Sequence, residues 1–444
     1  MVWLDQTHPQ NIELGLERVA TVAKRLHLAP IDSGDGLQAT QNTSDHAKPI
    51  ADKIVVVAGT NGKGSSVAAL EQLLLEADNR VGVYTSPHFH HYNERFRING
   101  VEAADAEICA ALHNVERARA DTALTYFEFS TLVALVLFSA AQLDVAILEI
   151  GLGGRLDAVN TVCADVALIT RIDLDHQDWL GDTRELIGAE KAGILRNNCV
   201  FVCADVDPPA SIVDIASVKC ANSYFIGDHF TVSPSSVSQG FDLTTAAGIS
   251  HLLPDIGLHP ASLAAAVQVA ELLGFALDSA SVTGVLSRLS LAGRQQLLSL
   301  AGYSVLLDVA HNPSAVTHLR TSFRPGARFA HANRTVAVFA VMADKEWAEM
   351  VDIIHDVIDH WFLAKLPGND RAQSPQEIAD YLRKIGQAGA QCVDDVGIGV
   401  DSALLKVQQL STDGSPAQVV VFGSFFTVAA AMQHITSSAD QENG

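Results

Sequence analysis

The chain has 444 residues, of which 48% are hydrophobic and 18% are charged. This length predicts two large domains, and this composition excludes an intrinsically disordered chain. Lys and Arg number 29 against 51 Asp and Glu, which gives a net charge of −22. Nucleic acids and anionic membranes are therefore not expected as partners, because both carry phosphate. An anionic small substrate would need a local positive pocket.

The sequence predicts neither a membrane helix nor a secretion signal. The longest uncharged stretch, residues 129–143, is shorter than the ~20 residues that span a bilayer. The first residues lack a basic region followed by an apolar one. Six cysteines are scattered along the chain without a C-x-x-C pair, which favours reduced thiols in a cytoplasmic protein.

In chain order, apolar periodicity predicts a helix over 12–26, a polar loop over 30–49, and then strands alternating with helices. The predicted strands are 54–58, 81–85, 144–150, 165–171 and 200–203. The predicted helices are 65–77, 103–119, 129–142, 183–195, 261–273 and 278–288. This alternation is typical of a parallel sheet covered by helices. The turn-rich residues 221–258 predict an antiparallel insert.

The pattern begins again after about residue 291 and predicts a second α/β domain. Its predicted strands are 303–309, 335–341, 361–365 and 418–422. Its predicted helices are 313–323, 346–358, 374–387, 400–410 and 424–436. The expected organisation is an N-terminal domain over 1–293, a linker over 294–298 and a C-terminal domain over 299–444.

Residues 59–66, Gly-Thr-Asn-Gly-Lys-Gly-Ser-Ser, form a candidate phosphate loop between a predicted strand and a predicted helix. Glycines let backbone N–H groups approach phosphate oxygens, Lys63 neutralises their charge, and a hydroxyl such as that of Ser65 can face Mg²⁺. The spacing departs from G-x-x-x-x-G-K-[ST], which argues against an ordinary GTPase. The predicted fold class is α/β, with an N-terminal P-loop-type parallel-sheet ATPase domain and a smaller Rossmann-like C-terminal domain.

Polar side chains follow several predicted strands where those strands end. Ser86 follows the strand 81–85, Glu149 closes the next strand, and His176 lies just beyond the strand 165–171. Because the carboxyl ends of parallel strands meet at one edge, these groups predict a hard-cation site beside the phosphate loop. The histidines at 88, 90 and 91 lack a companion Cys cluster, so loop histidines are favoured there over a zinc site.

The remaining candidates are single residues. Lys191 taken alone is an ordinary helix lysine. Arg294 lies at the predicted domain junction. Asp308 and His311 follow the strand 303–309, and Asn312-Pro313 is typical of a helix start.

Together these motifs resemble the dihydrofolate synthase/folylpolyglutamate synthase family of the Mur ligase superfamily. The segments that carry the resemblance are 11–18, 59–64, 84–88, 124–128, 148–160, 175–181, 190–195, 308–313 and 422–425. It implies an ATP- and pterin-binding N-terminal domain and a C-terminal ligase domain. It also implies that ATP converts a substrate carboxylate to an acyl phosphate, which the amine of L-glutamate attacks. The implied partners are dihydropteroate, folates and L-glutamate, and the implied oligomeric state is a monomer.

The resemblance also implies roles for individual residues. Phosphate and nucleotide contacts are implied for Asn61, Gly62, Lys63, Gly64, Ser65, Ser262, Arg294 and Asp308. Two Mg²⁺ ions are implied, with Ser86, Glu149 and His176 as ligands. The implied pterin pocket comprises Ile12, Glu13, Leu14, Thr125, Tyr126, Phe127, Glu128, Leu156, Asp157 and Ala158. Catalytic roles are implied for Lys63, a carbamylated Lys191 and His311.

The sequence departs from the family pattern at several points. Glu13 and Ser262 stand where Asp and Asn are expected, residues 291–294 lack the usual Pro, and the 30–49 loop is long. Three alternatives stay open: a monofunctional folylpolyglutamate synthase, a sister ligase of cell-wall peptide synthesis, and a non-catalytic ATP-binding switch. The peptide ligase would lack the pterin-pocket segments, and the switch would not need the metal set, Lys191 and a substrate pocket together.

Overall fold

A computed structural model describes residues 13–32, 47–236, 238–275, 277–324, 326–327, 329, 332, 334–387, 389–411 and 416–442. The chain divides into two compact units. The first comprises the residues up to Asp255 together with His259–Leu289. The second comprises Ile256–Leu258 and the residues from Ser290 onward. Ile12 of the predicted pterin pocket and most of the predicted 30–49 loop lie outside the described residues.

The first unit alternates strands and helices. Its strands are β1 (Leu28–Ala29), β2 (Lys48–Pro49), β3 (Ala51–Ala58), β4 (Val81–Tyr84), β5 (Phe96–Ile98), β6 (Val101–Glu102), β7 (Leu143–Glu149), β8 (Val166–Ile169), β9 (Val200–Cys203), β10 (Asn222–Phe225), β11 (Thr231–Pro234), β12 (Phe241–Thr244) and β13 (Ser250–Leu253). Its helices are α1 (Glu17–Arg25), α2 (Lys63–Glu76), α3 (Asp105–Arg119), α4 (Tyr126–Ala141), α5 (Gln177–Leu180), α6 (Arg184–Ala192), α7 (Ala210–Lys219), α8 (Pro260–Leu272) and α9 (Ser279–Ser287).

The main sheet of this unit has the strand order β10-β9-β8-β3-β7-β4-β5-β6. The strands from β10 to β4 run parallel, which confirms the predicted parallel sheet. β5 and β6 add an antiparallel edge that the sequence did not predict. The central strand β3 pairs through Val57 with Glu149 on one side and with Leu168 on the other. The residues that follow β3, β7 and β8 therefore emerge at the same edge.

The predicted antiparallel insert is correct for β11, β12 and β13, which form a separate three-stranded sheet. It is wrong for β10, which runs parallel to β9 at the edge of the main sheet. The short, partly buried run at 222–225 gave no indication of its partner, because edge pairing depends on tertiary context.

The second unit contains a six-stranded sheet with helices around it. Its strands are β14 (Gln296–Leu300), β15 (Tyr303–Asp308), β16 (Arg334–Phe339), β17 (His360–Ala364), β18 (Ala390–Val393) and β19 (Ala417–Phe422). Its helices are α10 (Pro313–Thr321), α11 (Trp347–Ile354), α12 (Pro375–Lys384), α13 (Val396–Leu410) and α14 (Phe425–Glu442). The strand order is β14-β15-β19-β16-β17-β18, and only the β14–β15 pair is antiparallel.

Local sequence explains several element boundaries. Thr125 caps α4 in a capping box, in which the Glu128 N–H donates to Oγ1 of Thr125 and the Thr125 N–H donates to the Glu128 carboxylate. Asn312 caps α10, with Pro313 at the first helical position. In the second unit, Phe339, Trp361 and Phe422 pack as one buried aromatic group. Among the helices of the described residues, none is long and apolar enough to cross a membrane.

Candidate active site

The candidate phosphate loop lies between β3 and α2, as the sequence predicts. Gly59 and Gly62 have φ angles of +148° and +93°, which side-chain-bearing residues rarely adopt. A Cβ at Gly59 would lie 1.8 Å from Oγ1 of Thr170, and one at Gly62 would lie 2.5 Å from Oγ of Ser262. Glycine is therefore required at both positions by backbone conformation and by close neighbours. The helix that follows directs its first N–H groups toward the loop.

Ser262 packs beneath this loop from α8. Its main-chain oxygen accepts a hydrogen bond from Oγ of Ser66 at 3.2 Å, and its side chain is buried. Thr60 ties the other side of the loop to the segment after β8, since its Oγ1 donates to the Asp173 oxygen at 3.1 Å. The loop is thus held from two sides within the first unit.

Two lysines converge on one carbonyl of the loop. Nζ of Lys63 donates to the Gly59 oxygen at 2.9 Å, and Nζ of Lys191 donates to the same oxygen at 3.1 Å. Lys191 is buried near the end of α6. The structure therefore brings the helix lysine to the phosphate loop, although 132 residues separate it from Gly59 in sequence.

The environment of Lys191 disfavours its protonated form. Burial first, and then the charge of Lys63, lower its pKa to about 7, whereas Asp175 and Asp157 act in the opposite direction. Asp157 is also buried, and its pKa is raised to about 7 mainly by burial. Near neutral pH, Lys191 is thus an amine with a substantial unprotonated fraction, which is the nucleophilic form.

Ser86 and Glu149 lie together at the edge of the sheet. The Ser86 N–H donates to Oε2 of Glu149 at 3.3 Å, and the Glu149 carboxylate is buried. His176 follows β8 with a positive φ of 52°, and its half-exposed side chain lies 3.9 Å from Asp175. Within the described part of the chain, no three His, Cys, Asp or Glu side chains are grouped closely enough to hold a metal ion. The Ser86, Glu149 and His176 set stays a prediction.

The segments of the predicted pterin pocket meet next to this edge. The Gly15 N–H donates to the Leu156 oxygen at 3.1 Å, and Leu14 and Leu156 line the same cleft. Phe127 lies at the start of α4, with its ring 6.1 Å from that of Tyr84. A Cβ on Gly151 would lie 2.5 Å from the Phe127 ring, so the loop after β7 packs closely on this aromatic face.

Glu128 and Asp157 are engaged by the protein itself. The Glu128 carboxylate accepts from the Thr125 N–H at 2.7 Å and from Nε of Arg18 at 3.0 Å. Asp157 accepts from the Gly151 N–H at 3.1 Å and from two further backbone N–H groups in the same loop. Both carboxylates order the walls of the predicted pocket. Tyr126 is buried beside them, and Glu13 is exposed and pairs with Arg18 at 3.3 Å.

The second unit gathers its own candidates at the ends of its strands. Asp308 ends β15, and its carboxylate accepts from the Gln295 N–H at 2.9 Å and from the Ala310 N–H at 2.7 Å. Burial raises the pKa of Asp308, and Arg294 opposes this shift. The Arg294 guanidinium lies 5.1 Å from the Phe425 ring, and His311 faces the same ring.

Two buried charged residues of the first unit were missed by the sequence analysis. Asp175 is buried and acts electrostatically on Lys191, and its only sequence signal is its place before His176. Arg95 is buried, and its Nε donates to Nδ1 of His88 at 2.8 Å. Its guanidinium also lies over the rings of Tyr92 and Tyr126. No sequence signal pointed to a buried arginine at this position.

Residues 293–425 match a family model described as the glutamate ligase domain of Mur ligases. This match, together with a candidate phosphate loop at the edge of a parallel sheet, indicates the class of ATP-dependent ligases of the Mur type.

The relatives are more specific. A dihydrofolate synthase/folylpolyglutamate synthase of Escherichia coli (strain K12) is 36% identical over 433 residues, which cover 98% of this chain and 94% of that protein. The similarly named Haemophilus influenzae protein is 34% identical and covers 96% of this chain and 94% of its own length. The chain therefore belongs to the dihydrofolate synthase/folylpolyglutamate synthase family.

Solved structures agree with this assignment. The structure of E. coli FolC in complex with DHPP and ADP has a TM-score of 0.84 and 34% identity, and covers 100% of this chain and 97% of that chain. The bifunctional Yersinia pestis enzyme complexed with AMPPNP and Mn ion has a TM-score of 0.82 and 38% identity, and covers 98% and 97% of the two chains. The predicted fold class is confirmed.

Proposed function

We propose that this chain joins L-glutamate to dihydropteroate, which yields dihydrofolate, and to folylpolyglutamates, in both cases at the expense of ATP and through an acyl phosphate. The observation that carries the proposal is the convergence of Lys63 and Lys191 on the Gly59 carbonyl, at the sheet edge where Glu149 also ends its strand. Membership of the family supplies the reaction class.

The phosphates of ATP bind at the loop of residues 59–65. Backbone N–H groups at the start of α2 face the phosphate oxygens, and Lys63 and the hydroxyl of Ser65 complete the set. Asn61, Gly62 and Gly64 shape the loop, and Ser262 supports it from below through Ser66. Because Lys63 already lies against the loop, a small movement of its amine suffices to contact a phosphate.

Ser86, Glu149 and His176 would hold magnesium. The donors fit this ion, because a buried carboxylate beside a serine supplies the hard oxygen ligands that Mg²⁺ prefers. When bound, Mg²⁺ neutralises phosphate charge, which is its main contribution to phosphoryl transfer. Glu149 and Ser86 are already placed together by their strands, whereas His176 is more exposed.

Lys191 carries a carbamate in the active protein. Its unprotonated nitrogen attacks the carbon of CO₂, a new N–C bond forms, one C=O π bond opens, and a proton leaves to solvent. The lowered pKa of Lys191 supports this step, because the protonated amine has no free electron pair to react. The product is an anion that suits a site gathering two divalent cations.

The pterin substrate occupies the pocket lined by Leu14, Phe127, Leu156 and Ala158, with Glu13 at its rim. Glu128 and Asp157 hold the walls through the hydrogen bonds described above. The nucleotide and glutamate roles that the family resemblance implies for Asp308, Arg294 and His311 of the second unit stay predictions.

Substrate-dependent ADP release tests the proposal. Purified protein should release ADP when L-glutamate is supplied with dihydropteroate, and also with tetrahydrofolate, but not with a nucleotide-linked cell-wall peptide precursor. Glu149→Gln keeps the shape of the side chain and removes its charge, so turnover should fall by about 100-fold or more while the fold is retained. ADP release with tetrahydrofolate but not with dihydropteroate would leave the monofunctional interpretation, and no ADP release with any acceptor would favour the non-catalytic switch.

A further inference from the structure

Two thiols that the proposed reaction does not use lie in contact. Sγ of Cys199 is 3.5 Å from Sγ of Cys220, although 21 residues separate them in sequence. Cys199 immediately precedes β9, and Cys220 immediately follows α7. Backbone hydrogen bonds flank the pair, from the Asn198 N–H to the Lys219 oxygen at 2.8 Å and from the Ala221 N–H to the Cys199 oxygen at 3.1 Å. The backbone itself therefore holds the two sulfurs together.

The surroundings of the pair favour ionisation of one thiol. The Arg196 N–H donates to Sγ of Cys199 at 3.4 Å. The hydrogen bond from Cys220, followed by this backbone contact and the charge of Arg196, lowers the pKa of Cys199 to about 7 against the opposing effect of burial. The pKa of Cys220 is raised by the same hydrogen bond. Cys199 is thus the member of the pair that becomes a thiolate first.

The other cysteines lack this combination. Cys203 ends β9, only four residues after Cys199, but burial raises its pKa to about 12. The pKa values of Cys163 and Cys392 are also raised by burial. The thiolate is the nucleophile in thiol oxidation. A raised pKa leaves little thiolate near neutral pH, so Cys203, Cys163 and Cys392 are expected to react more slowly than Cys199.

Cys199 is 5% exposed and lies against a cleft of about 1400 Å³, which Leu14, Leu156, Arg196 and Lys219 also line. Nζ of Lys219 donates to the Leu195 oxygen at 3.2 Å. Lys219 precedes Cys220 at the end of α7, and Arg196 lies in the loop before Cys199, so each thiol has a basic residue near it in sequence. A small neutral oxidant can enter a cleft of this size.

We propose that Cys199 and Cys220 form a reversible disulfide site that responds to hydrogen peroxide. The Cys199 thiolate attacks one oxygen of the peroxide, the O–O bond breaks, and a sulfenic acid forms as hydroxide leaves and takes up a proton to become water. The sulfur of Cys220 then attacks the sulfenic sulfur, the S–O bond breaks, and a second water leaves. Two thiols and one peroxide thus give one disulfide and two waters.

The bond requires little rearrangement of the protein. The sulfurs must approach from 3.5 Å to about 2.05 Å, a distance that side-chain rotation covers. A dithiol reductant reverses the change by thiol–disulfide exchange.

Peptide mapping of the full-length protein tests the site. Tryptic cleavage after Arg196, Lys219 and Arg288 gives peptides 197–219 and 220–288, and peroxide treatment should link them in a product that dithiothreitol separates. Because the first peptide also contains Cys203, Cys203→Ser is the matched control and should keep the link. Cys199→Ser and Cys220→Ser should each abolish it.

An absent link in the wild type, or a link that survives in Cys199→Ser, would overturn the proposal. A second probe does not depend on oxidation. Phenylarsine oxide bridges two neighbouring thiols with loss of one water, so the wild type and Cys203→Ser should bind one equivalent that dithiothreitol removes. The same stoichiometry in Cys220→Ser would contradict the assignment of this pair.

Discussion

Lys191 shows how burial converts an ordinary side chain into a reactive one. Its pKa falls from 10.5 to about 7 chiefly because charge is disfavoured in a buried site, with Lys63 as a second cause. Protonation removes the electron pair that attacks CO₂, so carbamate occupancy should decline as the pH falls through about 7. ¹³C NMR of protein in ¹³C-bicarbonate should show one slow-exchanging carbamate signal that weakens over this pH range.

The matched variants are Lys191→Ala and Lys191→Arg. Alanine removes the nitrogen, and arginine stays protonated, so both should lose the carbamate signal and about 100-fold or more of the turnover. A signal that persists in Lys191→Ala would assign the carbamate to another amine. A wild-type signal that does not change across pH 7 would contradict the role of the lowered pKa.

Some residues of the candidate site could be predicted from local sequence patterns, and others could not. Lys63 follows from the glycine-rich loop between a predicted strand and a predicted helix. Glu149 follows from its position at a strand end, since parallel strands place such residues at one edge. Lys191 did not follow from any local pattern, because a helix lysine is usually solvated, and only the resemblance to the family marked it. Asp175 and Arg95 were missed, since burial of a charged residue depends on tertiary packing.

Among the elements, the β3–α2 connection is the most constrained. Gly59→Ala would place a Cβ 1.8 Å from Oγ1 of Thr170 in a backbone conformation that alanine rarely adopts. We expect a decrease of about 2 kcal/mol in the free energy of unfolding, measured by urea denaturation. Gly64→Ala is the matched control, because its Cβ would meet nothing within 4 Å. Equal stabilities for these two variants would contradict this account of the loop.

Glu128 caps α4 and binds Arg18 of α1. Substitutions at Glu128 can therefore test whether its role is structural or whether it contacts the substrate. Glu128→Ala removes the acceptor for the Thr125 N–H and the partner of Arg18, so the free energy of unfolding should fall by about 2–3 kcal/mol. Glu128→Gln keeps the hydrogen-bonding shape and should lose only about half as much.

Glu116→Ala serves as the control, because it breaks a more exposed ion pair with Arg119 and should change stability by less than about 1 kcal/mol. The Michaelis constant for dihydropteroate shows whether Glu128 also contacts the substrate. If Glu128→Gln is nearly as stable as the wild type yet loses dihydropteroate affinity, Glu128 contacts the substrate directly and its capping role is secondary.

The elements that sequence patterns missed share a physical cause. β6, β14 and β18 are short edge strands with residues exposed to solvent, and β5 is a short strand that lies next to the β6 edge. Without two buried faces they show neither a continuous apolar run nor a clear alternation. The buried strands β3, β7, β16 and β19 were predicted correctly, because burial on both faces selects long runs of Val, Ile and Leu.

At the scale of the whole molecule, the net charge of −22 contrasts with a reaction whose proposed substrates are all anions. Binding therefore depends on local positive groups, such as Lys63 and the start of α2, rather than on the average field of the protein. The pterin end is different, because its predicted pocket is largely apolar and holds one exposed carboxylate, Glu13. The two ends of the site should accordingly respond to different substitutions.

This separation gives a test of the two activities in one chain. Dihydropteroate lacks a glutamate, so its pterin must lie close to the ligation chemistry and depend strongly on the pocket walls. Glu13→Ala combined with Phe127→Ala should therefore lower kcat/KM for dihydropteroate by at least tenfold more than for tetrahydrofolate, because a lost aromatic stack and a lost hydrogen-bond acceptor together remove about 2 kcal/mol or more. Glu17→Ala, an exposed acidic change at the start of α1, is the control and should affect neither substrate. Equal losses with both substrates would show that these residues stabilise the domain and do not select the substrate.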